Sequence, residues 1–391
     1  MSFSIDVSWK SLNKQGEELC GDKVEVLRTE DSDIMILADG MGSGVKANIL
    51  ATLTSKILGT MLREGASIES CVETVAKTLP ICKVRKVAYA AFSILQIFHS
   101  GEAYLAEFDN PSCVFIRDGK IVKYPYEVRE IEGKKVHESR FQVKKNDCFT
   151  LMSDGVIYAG AGSILNLEGW TWEAMSEYTL KCTKKTLSAS RLAVMLCQAC
   201  DELYEEKPGD DTTVAVARVI ERRVVSIFTG PPAKKADDER IIYDFMHAEG
   251  KKVISGGTSA NIAARVLGKK IVTEISTAGP DVPPTAVIDG IDLVTEGVLT
   301  LGKCLKLLKK YVRGEFDAEF FDELDADNGA SRLAKLLIEE CTELNLFVGM
   351  AVNDAHKETE LNFDLSMRQN LVEQLVRTAE EMEKRVTVRY Y

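Results

Sequence analysis

No stretch of this 391-residue chain approaches the unbroken apolar length that crosses a bilayer, and residues 1–16 alternate polar and apolar without an apolar core of signal-peptide length. A membrane-spanning or exported protein is not expected, and the cytoplasm is the expected location. Basic charge is also short: 49 lysines and arginines against 60 aspartates and glutamates leave a formal net charge of -11. Nucleic acid and anionic membrane both demand a basic face, so neither is an expected partner. The disulfide pattern of a small secreted domain is missing too, because the ten cysteines scatter through apolar strand and helix patterns such as those around Cys148 and Cys341. Reduced, buried thiols fit better. Cys197 and Cys200 form a C-x-x-C with no second pair at zinc-ribbon spacing, which favours a core-facing helical pair over a metal or redox role.

What is present is an ordinary globular composition, 45% hydrophobic and 28% charged, on a chain long enough for two cores. Up to residue 220 the pattern gives strands at 4–9, 24–28 and 34–38, helices at 45–64 and 68–79, and a meander of hairpins from 88 to 124. A strand at 149–152, helices at 170–182 and 189–204, and a strand from 214 follow. Paired helices between runs of strands point to antiparallel sheets covered by helices. Beyond Glu221 the pattern changes to alternating strand and helix, so the expected domains are 1–220 and 221–391, the second a wound α/β domain. Its expected elements include a helix at 236–249, a strand at 288–293 and a helix at 367–384.

Three acidic corners carry the chemistry. Asp39-Gly40-Met41-Gly42-Ser43-Gly44 follows the apolar run 34–38, Ser153-Asp154-Gly155 follows 149–152, and Gly209-Asp210-Asp211-Thr212-Thr213 precedes 214–219. A single Asp-Gly pair is a common turn. Three such corners against largely apolar runs are different, because carboxylates at buried strand ends lose water and need a cation. Asp39 and Asp154 end strands while Asp210 and Asp211 begin one; antiparallel pairing would bring all four to one sheet edge. Oxygen-only ligation without His or Cys in the corners favours Mg²⁺ or Mn²⁺ over zinc. The polar turn holding Glu17, Glu18 and Asp22 is weaker, and Asp22 is the favoured extra ligand.

Rival motifs fail on details. Val45 stands where a dinucleotide fingerprint needs its third glycine, and Asp39 would repel a pyrophosphate. Lys46 is misplaced for a P-loop and Ala47 lacks the required hydroxyl. Leu37 stands where an aspartyl-phosphate hydrolase needs its nucleophilic acid.

Cys20-Gly21-Asp22, the glycine-rich corner followed by Ala47, Ser153-Asp154-Gly155 and Gly209-Asp210-Asp211-Thr212-Thr213 together resemble a PP2C-type metal-dependent protein serine/threonine phosphatase of the bacterial SpoIIE branch, over about residues 4–220. The resemblance implies an α-β-β-α sandwich of two antiparallel sheets flanked by helices, with two Mn²⁺ or Mg²⁺ ions at one edge. Asp39 would bridge the ions, the Gly40 carbonyl and Asp22 would serve one, Asp154 and Asp210 the other, and Asp211 would be a neighbour or alternative ligand. It implies hydrolysis of phosphoserine or phosphothreonine on a bacterial regulatory protein by a water bridging the metals, with Asp39, Asp154 and Asp210 as the essential acids. Cys20 departs from the Ser usual before Gly-Asp in this branch. No arginine for the substrate phosphate and no His beside Asp39 stand out. An inactive phosphatase-like scaffold or a signal-sensing binding module is the alternative; a metal-dependent nuclease is disfavoured by the acidic balance. A rigid shift of the helix from Val45 would move Asp39 and switch the centre, or that helix simply covers the sheet.

The second half is expected to be a wound three-layer α/β domain with a regulatory or ligand-sensing role. Thr229-Gly230-Pro231-Pro232 and Ser255-Gly256-Gly257-Thr258-Ser259 each lie between a strand and a helix, where an anion binds or where ordinary turns and caps occur. Expected partners are a phosphorylated protein substrate, a small-molecule or protein ligand of this half, and, as an open alternative, a second copy of the chain.

Overall fold

The structure, a computed structural model, describes residues 3–78, 90–161, 169–279, 281–351 and 358–391. It divides into two compact units, Met1–Glu221 and Arg222–Tyr391. Among the described residues no helix is long and apolar enough to cross a membrane.

The first unit runs β1 (Phe3–Leu12), β2 (Asp22–Arg28), β3 (Ser32–Gly40), α1 (Gly44–Arg63), α2 (Ile68–Thr78), β4 (Ala90–Phe98) and β5 (Glu102–Phe108). It continues with β6 (Val114–Arg117), β7 (Lys120–Ile121), β8 (Glu127–Ile131), β9 (Lys134–Gln142) and β10 (Cys148–Met152). It closes with α3 (Asp154–Ile157), α4 (Trp172–Thr183), α5 (Ala189–Leu203) and β11 (Thr212–Glu221). Two antiparallel sheets form, ordered β1-β11-β10-β6-β7 and β2-β3-β4-β5-β9-β8.

Burial on both faces explains the unbroken apolar runs. Along β3, Met35 and Leu37 enter the core between the sheets with Leu95, Leu105, Phe115, Phe149 and Ala215, whereas Ile34 and Ile36 pack under α1 and α2 with Leu58, Leu62 and Val72. On the other sheet, Met152, Val214 and Val216 face α4 and α5 through Met175, Leu192, Leu196 and Cys200. The layers are therefore α-β-β-α. Thr171 and Ser188 cap α4 and α5 through their side chains. The described cysteines form no disulfide, and Cys197 and Cys200 are buried on α5.

One buried acid gives a pH signature away from the acidic corners. Glu107 on β5 accepts from the Cys113 N–H at 2.6 Å and the Tyr124 hydroxyl at 3.2 Å, and burial pushes its carboxyl up to about 7. Between its ordinary value near 4.3 and 7 the unfolded chain releases this proton and the folded chain keeps it, so stability falls as pH rises through that window. Glu107→Gln keeps an acceptor for Cys113 and should raise the melting temperature at pH 8 but not at pH 4. A denaturation series across that range measures the difference.

The second unit contains β12 (Val224–Thr229), α6 (Asp238–His247), β13 (Lys251–Ser255), α7 (Gly257–Leu267), β14 (Val272–Glu274), β15 (Thr285–Val287), β16 (Leu293–Thr295) and α8 (Val298–Val312). After these come α9 (Ala318–Leu324), α10 (Gly329–Glu339), β17 (Glu343–Val348), α11 (Glu358–Glu381) and β18 (Arg385–Tyr390). The sheet order is β14-β15-β16-β13-β12-β17-β18, with β16, β13, β12, β17 and β18 parallel and the β14 edge antiparallel. α6 and α7 bury Ile241, Phe245 and Ile262 against Phe228, Ile254 and Phe347 of the sheet, while α8 packs beside α10 and α11. The chain is thus an α-β-β-α sandwich followed by a wound α/β domain.

Some local expectations change. The strand expected at 288–293 does not form there: β15 ends at Val287 and β16 starts at Leu293, with Asp289 and Gly290 turning the chain between them while Ile288 stays buried. The helix expected at 236–249 is shorter, Asp238–His247, preceded by a single 3-10 turn. α11 begins earlier than expected, at Glu358. The end of the helix near Pro80 and the strand start at residues 88 and 89 lie outside the described residues.

Candidate metal centre

Strand pairing brings the acids together. β2 and β3 are antiparallel with Asp22 directly opposite Asp39, and the Gly40 N–H donates to the Gly21 carbonyl at 3.0 Å. Like charges face to face on neighbouring strands are destabilising unless something compensates them. In the other sheet β10 ends at Met152 opposite Val214 of β11, so Asp154 leaves one strand where Asp210 and Asp211 enter its neighbour. The corner is fastened by the Ser153 N–H donating to the Thr213 carbonyl at 3.1 Å and by the Thr213 N–H donating to Ser153 Oγ at 2.8 Å.

The two sheet edges then meet. Asp211 Oδ1 accepts from the Lys14 N–H at 3.0 Å, and its Oδ2 would lie 2.7 Å from a Cβ on Gly21, beside Asp22. The electrostatics follow from this convergence. Burial, then Asp22, Asp154, Asp210 and Asp211, push the Asp39 carboxyl up to about 9. Burial pushes Asp22 up to about 7; the nearby Ser153 and Thr213 hydroxyls ease its charge and Asp211 and Asp154 oppose it. Asp154 is raised by burial and by Asp210, with Lys14 acting the other way.

These carboxylates ask for a cation. Both oxygens of Asp22 and Oδ2 of Asp211 are buried without a hydrogen-bond partner. An all-oxygen set of this kind suits a hard divalent ion such as Mg²⁺ or Mn²⁺. Among the described residues, no three His, Cys, Asp or Glu side chains close on one point at ligand distance. The acids share a rim as a spread set. The Asp210 side chain is 43% exposed and lies 3.6 Å from Lys14 Nζ. Cys20 adds no anion, because burial and then Asp22 push its thiol up to about 12.

Several rim residues were not among the candidates. Lys14 brings a cation to Asp210, although nothing distinguishes it within its polar turn. Glu17, set below Asp22 in the sequence reading, accepts from Ser43 Oγ at 3.0 Å and fills the space that a side chain on Gly44 would occupy, so it secures the start of α1. Asn48 ties the same helix to the Cys20 carbonyl at 2.8 Å. The Tyr204 hydroxyl donates to the Gly155 carbonyl at 2.7 Å and holds the turn after Asp154. The spacing of Glu17 to Asp22 carries a weak signal; the other contacts are tertiary.

Residues 30–220, just under half of the chain, match the family described as Stage II sporulation protein E (SpoIIE). No curated protein matches. Among solved structures, the chain is similar to the PP2C phosphatase domain with a fragment of the regulatory domain of the cell fate determinant SpoIIE from Bacillus subtilis, at 20% identity and a TM-score of 0.48. That match covers 56% of this chain and 64% of the other, less than two thirds of its length. The phosphatase domain of SpoIIE from Bacillus subtilis in a crystal form without domain swapping is 18% identical, with coverage of 56% and 94% and a TM-score of 0.42. RsbX in complex with magnesium is 20% identical, with coverage of 55% and 95% and a TM-score of 0.40.

Proposed function

Residues 30–220 are a SpoIIE-type, PP2C-like domain, and from that premise we propose that the first unit, Met1–Glu221, hydrolyses phosphoserine or phosphothreonine on a phosphorylated regulatory protein with the help of two Mn²⁺ or Mg²⁺ ions. The carrying observation is the convergence of Asp22, Asp39, Asp154, Asp210 and Asp211 on one rim, where buried carboxylate oxygens lack partners. In this reading Asp39, which feels Asp22 as well as Asp154 and Asp210, would serve both ions. Asp22 and the Gly40 carbonyl would hold one, Asp154 and Asp210 the other, and Asp211 would be a neighbour or alternative ligand. When bound, such ions supply Lewis acidity toward the phosphoryl oxygens and lower the pKa of water.

The chain's own groups do the rest. The acids fix the positions of positive charge before substrate arrives, so no reorganisation is needed at the moment of reaction. Lys14 adds a cation beside the half-exposed Asp210, where it would meet a phosphoryl group. Tyr204 and Ser153 act on position, through Gly155 and Thr213 respectively.

Phosphate release from a phosphoserine peptide tests the reading. Turnover should require Mn²⁺ or Mg²⁺, stop in excess chelator, and be lost in Asp154→Asn with the circular dichroism spectrum unchanged. Ion binding without turnover would instead identify an inactive phosphatase-like scaffold.

A further inference from the structure

In the second unit, three neighbouring parallel strands end on hydroxyl residues: Thr229 of β12, Ser255 of β13 and Thr295 of β16, paired across the sheet as Thr229 with Ser255 and Ser255 with Thr295. Glycine follows each within two residues, at Gly230, Gly256 and Gly297. Gly256 and Gly297 are the N-caps of α7 and α8, and neither helix has a side-chain cap. The caps also touch, since a Cβ on Gly297 would stand 3.4 Å from Gly256 Cα. Two helix N-termini thus meet at one place. Their first-turn amides have no intrahelical acceptor, and their partial positive charges add.

The first turns contain a second feature that calls for a partner. Ser259, third residue of α7, is 1% exposed, and its Oγ has no hydrogen-bond partner. That oxygen would lie 3.5 Å from a Cβ on Gly256, so it faces the cap. Thr300, third residue of α8, is fully buried, and its Oγ1 likewise has no partner. A buried hydroxyl left unmet is destabilising, and two of them stand at equivalent positions of the two helices. Gly256 has φ +122, a conformation that favours glycine, and its missing side chain leaves the cap open. Gly257 and Thr258 are exposed, which gives access from solvent.

A cavity of about 480 Å³ lies on the same side of α7 as the loops after β12 and β17, lined in part by Pro231, Pro232, Lys235, Ile262, Arg265 and Met350. Ile262 is one turn along α7 from Ser259. The strand order reverses here, with β12 flanked by β13 and by β17, and ligands of open parallel sheets bind at such a crevice. Lys235 and Arg265 bring positive charge; Asp238 pairs with Arg265, and Glu296 is an exposed acid on the loop after β16.

We propose that the joined N-termini of α7 and α8 bind a phosphate group, held by the first-turn amides and by the Ser259 hydroxyl. A tetrahedral dianion meets several donors at once, and the neighbouring cavity, reached one turn along α7 at Ile262, would take the remainder of a phosphate monoester. The site does not depend on the reading of the first unit.

The test is calorimetric titration of the full chain in excess chelator, so that no ion at the acidic rim contributes, with inorganic phosphate and with adenosine 5′-monophosphate as probes. Saturable binding is expected. Tighter binding of the monoester would identify an ester as ligand, and equal binding would identify free phosphate. Ser259→Ala removes a hydroxyl that has no partner in the fold, so the melting temperature should hold or rise while affinity falls about tenfold. Gly257→Asp places a carboxylate where a Cβ meets nothing within 4 Å; it should abolish binding without loss of stability. Failure of both probes to saturate, or parental affinity in both variants, overturns the proposal.

Discussion

Replacing Asp39 by asparagine is expected to remove metal-dependent phosphate release, by about a thousandfold or more, equivalent to ~4 kcal/mol of transition-state stabilisation, and at the same time to raise the melting temperature of the chelated protein. The two effects have one source. Asp39 sits opposite Asp22 on the adjoining strand and within the field of Asp154, Asp210 and Asp211, with its carboxyl pushed up to about 9 by burial and by those neighbours. An acid raised above its ordinary value near 3.9 lowers stability as pH climbs, because the unfolded chain gives up the proton and the folded chain holds it. Asparagine has no proton to lose and nearly the same shape. The stability gain should be largest above neutrality, disappear below about pH 4, and amount to about 2–4 °C for each kcal/mol relieved in a unit of this size. Full turnover in the variant, or a lower melting temperature in chelator at pH 8, would contradict the placement of Asp39 at the centre of the acids.

How far such a site can be read without coordinates depends on what kind of interaction makes it. Asp39, Asp154, Asp210 and Asp211 were legible because each adjoins a run of apolar residues, and a run apolar at every position means a strand covered on both faces. Strand direction then decides which ends coincide. Asp22 was harder, since a polar turn is usually solvated and only its register against Asp39 distinguishes it. Lys14 and the grip of Glu17 on Ser43 carry no periodic signal, because they depend on how the turn after β1 folds against α1. Another such contact is the fork of Arg117 on the buried Asp147, at 2.8 and 2.5 Å, which fixes the turn before β10 from 30 residues away. In the second unit the strand expected at 288–293 misled for a related reason: apolar Ile288, Ile291 and Leu293 flank Asp289-Gly290, and Ile288 is buried beside that turn, not within a strand.

Gly40 links the fold of α1 to the acidic rim, and Gly40→Ala is expected to damage both. A Cβ at this position would fall on backbone atoms of Ala47, its carbonyl oxygen first, and backbone within a helix cannot move aside as a flexible side chain can. The start of α1 would have to retreat, against the Asn48 bond to the Cys20 carbonyl and the Gly40 bond to the Gly21 carbonyl. A loss of about 3 kcal/mol or more is the ordinary scale for a clash of this type. Because Gly40 directly follows Asp39, the same retreat should displace the acid and lower Mn²⁺ affinity at least about tenfold, although every carboxylate is still present. Gly42→Ala is the control two residues on: its φ of +103 imposes strain, but a Cβ there meets nothing within 4 Å. That variant should lose about 1–2 kcal/mol and keep its ion affinity. Calorimetric unfolding and Mn²⁺ titration of the pair separate the two ideas. If Gly40→Ala loses stability yet binds the ion as tightly as the parent, α1 merely covers the sheet; if affinity falls with Gly40→Ala alone, the position of α1 sets the geometry of the acids, and whatever moves that helix controls the site.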